Sequence, residues 1–119
     1  SHVVRQGGRI LLVGACEEGT GSPEFTRMLT EFRDPESFLR SIDQGPVAVD
    51  QWQHEKLALV MRKARVLFCV PGLAEAVRNA LWGPAFERVS EAVEATLEGL
   101  RPGARVAVIP EGPYVLARV

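Results

Sequence analysis

The chain has 119 residues, of which 46% are hydrophobic and 24% charged, as in an ordinary single globular domain. Its 14 basic and 15 acidic residues give a net charge of −1, which excludes a strongly basic nucleic-acid binder and a polybasic membrane-surface protein. Only two histidines are present, His2 and His54, so the chain offers at most one histidine pair for acid–base catalysis or metal binding.

A few residues suggest the boundaries and the compartment of the domain. The chain starts with Ser1-His2, which resembles the remnant of an expression tag, so we expect the native domain to cover residues 3–119 of a longer polypeptide. Cys16 and Cys69 form no C-x-x-C pair, which favours reduced thiols and a cytoplasmic location. No apolar run approaches the ~18 residues of a membrane span, and no signal peptide opens the chain.

Apolar runs and helical patterns alternate along the chain. Strands are predicted over residues 9–14, 65–70 and 105–109, with a weaker one at 86–89. Helices are predicted from Ser22, from Asp34, from Asp50 to about 64, over 73–81 and from Ser90, followed by an irregular tail at 110–119. This alternation predicts one α/β domain with a mostly parallel sheet and crossover helices, in a Rossmann-like arrangement of three layers.

Two of the helices begin with the same signature, an N-cap residue followed by proline and glutamate. The two starts are Ser22-Pro23-Glu24 and Asp34-Pro35-Glu36. Apolar residues at helical spacing predict the buried faces of the helices: Phe25, Met28, Leu29 and Phe32; Phe38, Leu39 and Ile42; Trp52, Leu57, Leu59, Val60 and Met61; and Val93, Leu97 and Leu100.

The loop Glu18–Ser22 follows the first strand and opens a helix, where open α/β sheets bind ligands. Gly19 and Gly21 would let backbone N–H groups approach an anion, and Ser22 could add a hydroxyl. The spacing is not G-x-G-x-x-G, however, and neighbouring acids would repel a phosphate. A plain tight turn is therefore the alternative. Pro71-Gly72 and residues 110–113 also follow predicted strands and are expected to edge the same crevice.

The segment Asp50–Gln53, at the start of the third helix, is the second candidate site. Gln53 could offer its amide to a ligand, and Lys56 lies one turn further along. The alternative is a capping box, in which Asp50 and Gln53 bind each other's backbone N–H groups and Trp52 belongs to the core. No second metal ligand stands at a suitable spacing from His54, so we predict no metal site and a surface histidine.

Several segments together resemble the C-terminal domain of the nickel-pincer-dependent lactate racemase family, over residues 3–119. They are Gly7–Val13 followed by Cys16–Phe25, then Asp50–Gln53, then Gly103–Gly112. The resemblance implies a two-domain enzyme that racemises or epimerises a small 2-hydroxy acid through hydride transfer to a nickel pincer nucleotide. It also implies that the N-terminal catalytic domain carries the catalytic histidine pair, the nickel ligand and the cofactor-tethering lysine.

The same resemblance implies a limited role for the residues of this chain. Gln53 is the best match to a residue that contacts substrate or cofactor, and Lys56 is a weaker one; Trp52 and the loop Gly19–Ser22 would lie at the same cleft. No catalytic residue, metal ligand or bound cofactor is expected in this domain alone, which would be inactive. The competing hypotheses are a free-standing α/β module that binds a nucleotide or anion, and a purely structural interaction domain.

Overall fold

The computed structural model describes residues 3–43 and 45–114, and within them the chain forms three strands and five α-helices. The strands are β1 (Gly8–Val13), β2 (Ala64–Cys69) and β3 (Ala85–Phe86). The helices are α1 (Pro23–Glu31), α2 (Pro35–Ile42), α3 (Gln51–Met61), α4 (Glu75–Ala80) and α5 (Val89–Leu97), with a 3₁₀ turn at Gly112–Tyr114. The suspected tag residues 1–2 and the last five residues of the predicted tail lie outside the described residues.

The sheet is parallel throughout its described strands, in the order β1-β2-β3. Gly8 of β1 is opposite Ala64 of β2, and the register continues to Val13 opposite Cys69. Parallel strands need crossover connections, which the helices supply. The α/β prediction is therefore confirmed, and β2 is the central strand, buried at five of its six residues.

Helices cover both faces of this sheet. Val66 and Phe68 form a buried cluster with Ile10, and the apolar side of α3 packs against it. Arg9, the neighbour of Ile10, reaches from the opposite face to α5, where its guanidinium donates to the carbonyls of Thr96 at 2.7 Å and of Glu98. The arrangement is the predicted three layers, and the cation lies at the helix C-terminus, where the helix dipole favours it.

The helix starts follow the sequence signals in two cases and differ in a third. The Ser22 hydroxyl accepts from the Phe25 N–H at 3.0 Å, and the Asp34 carboxylate accepts from the Ser37 N–H at 2.8 Å, as predicted. The predicted cap Ser90 is wrong, because α5 already includes Val89 and takes Arg88 as its N-cap residue. Exposed residues surround this helix start, so burial does not fix the boundary there.

The predicted strand at 105–109 does not form. Among the described residues, 105–109 belong to no strand and make no backbone hydrogen bond, and Val106 and Val108 are exposed. Because that strand is missing, residues 110–113 do not follow a strand end, and the prediction that they edge the ligand crevice fails with it. The predicted buried face of α5 is also wrong, since α5 packs on the sheet through Ala92 and leaves the predicted face exposed: Val93, Leu97 and Leu100.

The first three helices are joined by a second buried cluster, which fixes the position of α3. Met28, Phe38 and Ala58, one from each helix, are all buried, and Trp82 packs against them. The Trp82 indole also donates to the carbonyl of Phe32 at 2.7 Å. Both cysteines are free thiols. Among the described residues, no helix is long and apolar enough to cross a membrane.

Candidate functional site

The start of α3 lies at the carboxyl edge of the sheet. A two-residue turn joins α3 to β2, and α3 packs on β2, so the helix runs antiparallel to the strand. The Gly19–Ser22 loop leaves the carboxyl end of β1 toward the same edge. The two segments meet through Phe25 and His54, whose ring centroids are 4.0 Å apart. The structure therefore packs the start of α3 against α1, the helix that the Gly19–Ser22 loop opens.

Trp52 stands on the solvent-facing side of α3. It is 58% exposed, so the alternative that places it in the core is wrong. Lys56, one turn later, holds its ammonium 5.1 Å from the centroid of the indole ring, a cation–π contact that orients both side chains. An exposed tryptophan beside an oriented ammonium is typical of a contact surface.

Asp50 and Gln53 are bonded to each other, but not as a capping box. The Gln53 amide nitrogen donates to the Asp50 carboxylate at 2.9 Å, and the Asp50 side chain caps no backbone N–H group. The reason is the backbone of Asp50, which is left-handed with φ of 62°, unlike the extended backbone of an ordinary N-cap. The Gln53 carbonyl oxygen is not used by this bond, so it can accept from a ligand hydroxyl.

His54 is completely buried, which contradicts the prediction of a surface histidine. Its ring is surrounded by Phe25, Phe38 and Trp82, and neither nitrogen makes a hydrogen bond of good geometry with a described residue. Burial lowers the pKa of His54, an effect that the nearby backbone and carboxylate of Asp50 partly offset. The imidazole is therefore neutral near pH 7 and acts as a core side chain.

Sequence reasoning missed the role of His54, although the spacing carried a signal. Ala58 follows His54 by one turn and is also fully buried, which makes the two residues the inward side of α3. The apolar residues used for the prediction are spread around this helix, and Leu59 is 47% exposed. Of the predicted buried face, Leu57, Val60 and Met61 do pack against the core, whereas Trp52 and Leu59 are exposed and the fully buried His54 and Ala58 were not predicted.

Several hydrogen bonds of the Gly19–Ser22 loop are made within the turn and to α1. The Gly19 N–H donates to the Cys16 carbonyl at 3.0 Å, and the Ser22 hydroxyl already caps α1. Thr20 shares a hydrogen bond with Thr26, which closes the loop onto the helix. Gly19 and Gly21 have φ of 79° and 84°, so these glycines serve the turn itself. No observation favours a free-standing nucleotide-binding module.

The loop after β2 packs tightly against the loop after β1, as the convergence of strand ends predicted. The Gly72 N–H donates to the Ala15 carbonyl at 2.9 Å, and a Cβ at Gly72 would lie 2.3 Å from that oxygen. Arg78, which the sequence did not single out, clamps this loop by donating to the Leu73 carbonyl at 2.7 Å and pairing with Glu87 at 2.5 Å. These hydrogen bonds therefore hold the backbone of the two loops in place at this edge of the site.

The described residues do not fit a metal site. Among them, no three histidine, cysteine or acidic side chains lie close enough together to hold an ion. The one histidine in the described ranges, His54, is enclosed by aromatic rings and cannot reach a metal at the surface. The edge that carries Trp52, Gln53 and Lys56 can bind an anionic or hydroxylated molecule by hydrogen bonds and charge, but it lacks an acid–base pair.

Comparison with known proteins relates nearly the whole chain to one family. The model of a family described as the lactate racemase C-terminal domain matches residues 1–117. The lactate racemases of Thermoanaerobacterium thermosaccharolyticum and Lactiplantibacillus plantarum are each 25% identical over 96% of the chain, and the chain spans 28% of the length of each. The solved lactate racemase apoprotein from T. thermosaccharolyticum has the same fold, with a TM-score of 0.78 at 21% identity over 97% of this chain and 28% of that one.

Proposed function

Because the chain belongs to the lactate racemase C-terminal domain family, we propose that it is the cleft-closing domain of a racemase or epimerase of small 2-hydroxy acids. The family match over residues 1–117 carries this proposal. The two lactate racemases are 25% identical to this chain, and the chain spans only 28% of their length. The remainder of such an enzyme, an N-terminal catalytic domain, is the partner that this domain would close upon.

Gln53 and Lys56 are the residues proposed to face the substrate. The Lys56 ammonium supplies a positive charge for a substrate carboxylate, and its contact with Trp52 limits the positions it can take. The Gln53 carbonyl oxygen is an acceptor for a 2-hydroxyl group. The backbone of the Gly19–Ser22 loop would form part of the wall of the same cleft. A carboxylate and an adjacent hydroxyl are the two polar groups of every 2-hydroxy acid.

The acid–base and nickel chemistry is assigned to the remainder of the enzyme. Racemisation needs a base and an acid on opposite faces of the substrate, and the described part of this chain offers one buried, neutral histidine. The described residues do not fit nickel ligation, so the nickel pincer nucleotide of the complete enzyme would be held elsewhere, and no step through it involves this chain. The domain by itself is expected to be inactive.

The test uses the polypeptide encoded by the complete reading frame, assayed for racemisation of lactate, malate and larger 2-hydroxy acids. Gln53→Ala and Lys56→Met are expected to lower kcat/KM at least tenfold for the preferred acid, while Leu59→Ala, one turn along the same helix, changes it less than twofold. Urea unfolding of each variant provides the control, because both polar groups lie at the surface and their loss should leave stability nearly unchanged. Unchanged kcat/KM in both variants would remove them from the site.

A further inference from the structure

Residues 105–109 form an apolar segment that the rest of the domain does not cover. Every residue of the segment is exposed; Val106 is 65% exposed, Val108 85% and Ile109 40%. Among the described residues, none of its backbone N–H or carbonyl groups has a backbone hydrogen-bond partner. The segment therefore exposes both its apolar side chains and its unpaired backbone, a combination that folded proteins avoid.

The pattern of the segment is that of a strand buried on both faces. Side chains alternate between the two faces of a strand, so in a strand Val106 and Val108 would point to one face and Ala107 and Ile109 to the other. All four are apolar, whereas a strand with one solvent-exposed face alternates polar and apolar residues. Continuous apolar runs belong to strands within a covered sheet. A single apolar patch on a partner would cover only half of this segment.

The free edge of β1 is not the partner of the segment. Among the described strands, β1 pairs only with β2, so its outer edge is open. The Arg9 hydrogen bonds tie the end of α5 to β1, and the segment follows a few residues later in the chain. No backbone hydrogen bond among the described residues joins the segment to this edge. The described part of the domain therefore provides no partner strand for it.

We infer that residues 105–109 are a strand donated to an open sheet edge, apolar on both faces, in the catalytic remainder of the racemase. This inference rests on the proposed function, because the occupant is the part of the relatives that lies beyond the 28% of their length spanned by this chain. Val89, Val93 and Leu97 of α5, the helix that precedes the segment in the chain, are also exposed apolar residues. Strand addition would supply the backbone hydrogen bonds that fix the domain against its partner.

The experiment compares amide hydrogen exchange in the 119-residue chain and in the polypeptide from the complete reading frame. In the short chain, the amides of residues 106–109 should exchange at nearly the rate of an unstructured peptide. In the long polypeptide every second one of these amides should exchange on the order of 100-fold more slowly, because a strand paired along one edge hydrogen-bonds alternate N–H groups to its neighbour. Val108→Lys should abolish this protection, and Val108→Ile, which keeps an apolar β-branched side chain at the same position, should retain it.

Three results would overturn the inference. They are equal exchange in the two proteins, a reading frame that encodes nothing beyond this domain, and protection in the short chain that grows with its concentration, which would make a second copy the partner. The exchange measurement does not depend on racemase activity. Protection in a polypeptide that racemises no 2-hydroxy acid would therefore support the strand pairing and contradict the proposed function. Racemase activity in a polypeptide whose residues 106–109 are not protected would support the proposed function and contradict the strand pairing.

Discussion

The buried histidine makes a sharp prediction about stability and pH. His54 is fully enclosed, and burial holds its pKa below the ordinary value of 6.5. In the unfolded chain the imidazole is exposed and takes up a proton as the pH falls through about 6.5. The unfolded state then binds more protons than the folded state, so stability is fully present above pH 6.5 and is lost as the pH falls below it.

The size of the effect follows from the proton linkage. Because the folded imidazole takes up its proton at a lower pH than the unfolded one, lowering the pH from 7.5 to 5.5 reduces the free energy of unfolding, by at most about 1.4 kcal/mol. His54→Leu has a similar volume and no titrating group, so it should remove this slope. It should also remove two buried nitrogens without hydrogen-bond partners, which cost roughly 1–3 kcal/mol when unsatisfied.

Urea unfolding followed by tryptophan fluorescence at pH 5.5, 6.5 and 7.5 measures the slope in both proteins. His2 is present in both and cancels in the comparison. Glu36→Gln is a matched control, because the Arg62 hydrogen bond and charge lower the pKa of the exposed Glu36 carboxyl, which keeps its titration below this range. A slope that persists in His54→Leu, or that is absent from the parent chain, would refute the account of His54 as a neutral core residue.

Two further predictions concern contacts that hold the layers and loops together, both measured by urea unfolding. Arg9→Met should cost about 1.5–3 kcal/mol because it removes charge-assisted bonds to the carbonyls at the end of α5, whereas Arg65→Met, at the opposite register position, should change stability by less than about 0.5 kcal/mol. An equal loss of stability in Arg9→Met and Arg65→Met would show that the Arg9 contact with the end of α5 is not stabilising. Gly72→Ala should cost about 1–3 kcal/mol because its Cβ would lie 2.3 Å from the Ala15 carbonyl oxygen. Gly112→Ala, with open space around it, should be neutral; a neutral Gly72→Ala would contradict the tight packing of the two loops.

Local chemistry explains why part of the fold could be predicted. The caps Ser22 and Asp34 bind N–H groups three residues away, so their effect needs no knowledge of the tertiary structure. The short apolar run that became β2 is buried by helices on both faces and was recognisable as such. Asp50 looked like the same kind of cap, but the chain enters its helix through a left-handed residue, which the residue types alone do not specify.

The site could be predicted less completely. The sequence placed Trp52, Gln53 and Lys56 near one helix start, and the structure keeps all three at the surface there. It could not show that Phe25 would pack against His54 and so join that start to the Gly19–Ser22 loop. This contact links residues far apart in the chain, and only the packing of α1 on α3 creates it.

The sequence by itself determined the class of the fold and most of its elements, because alternating apolar runs, caps and breaks act over a few residues. Only the tertiary structure decided which apolar residues are covered. His54 is buried although its type suggests the surface, while residues 105–109 are exposed although their pattern suggests a core. Burial depends on what else packs against a side chain, and for residues 105–109 no described part of this domain does so.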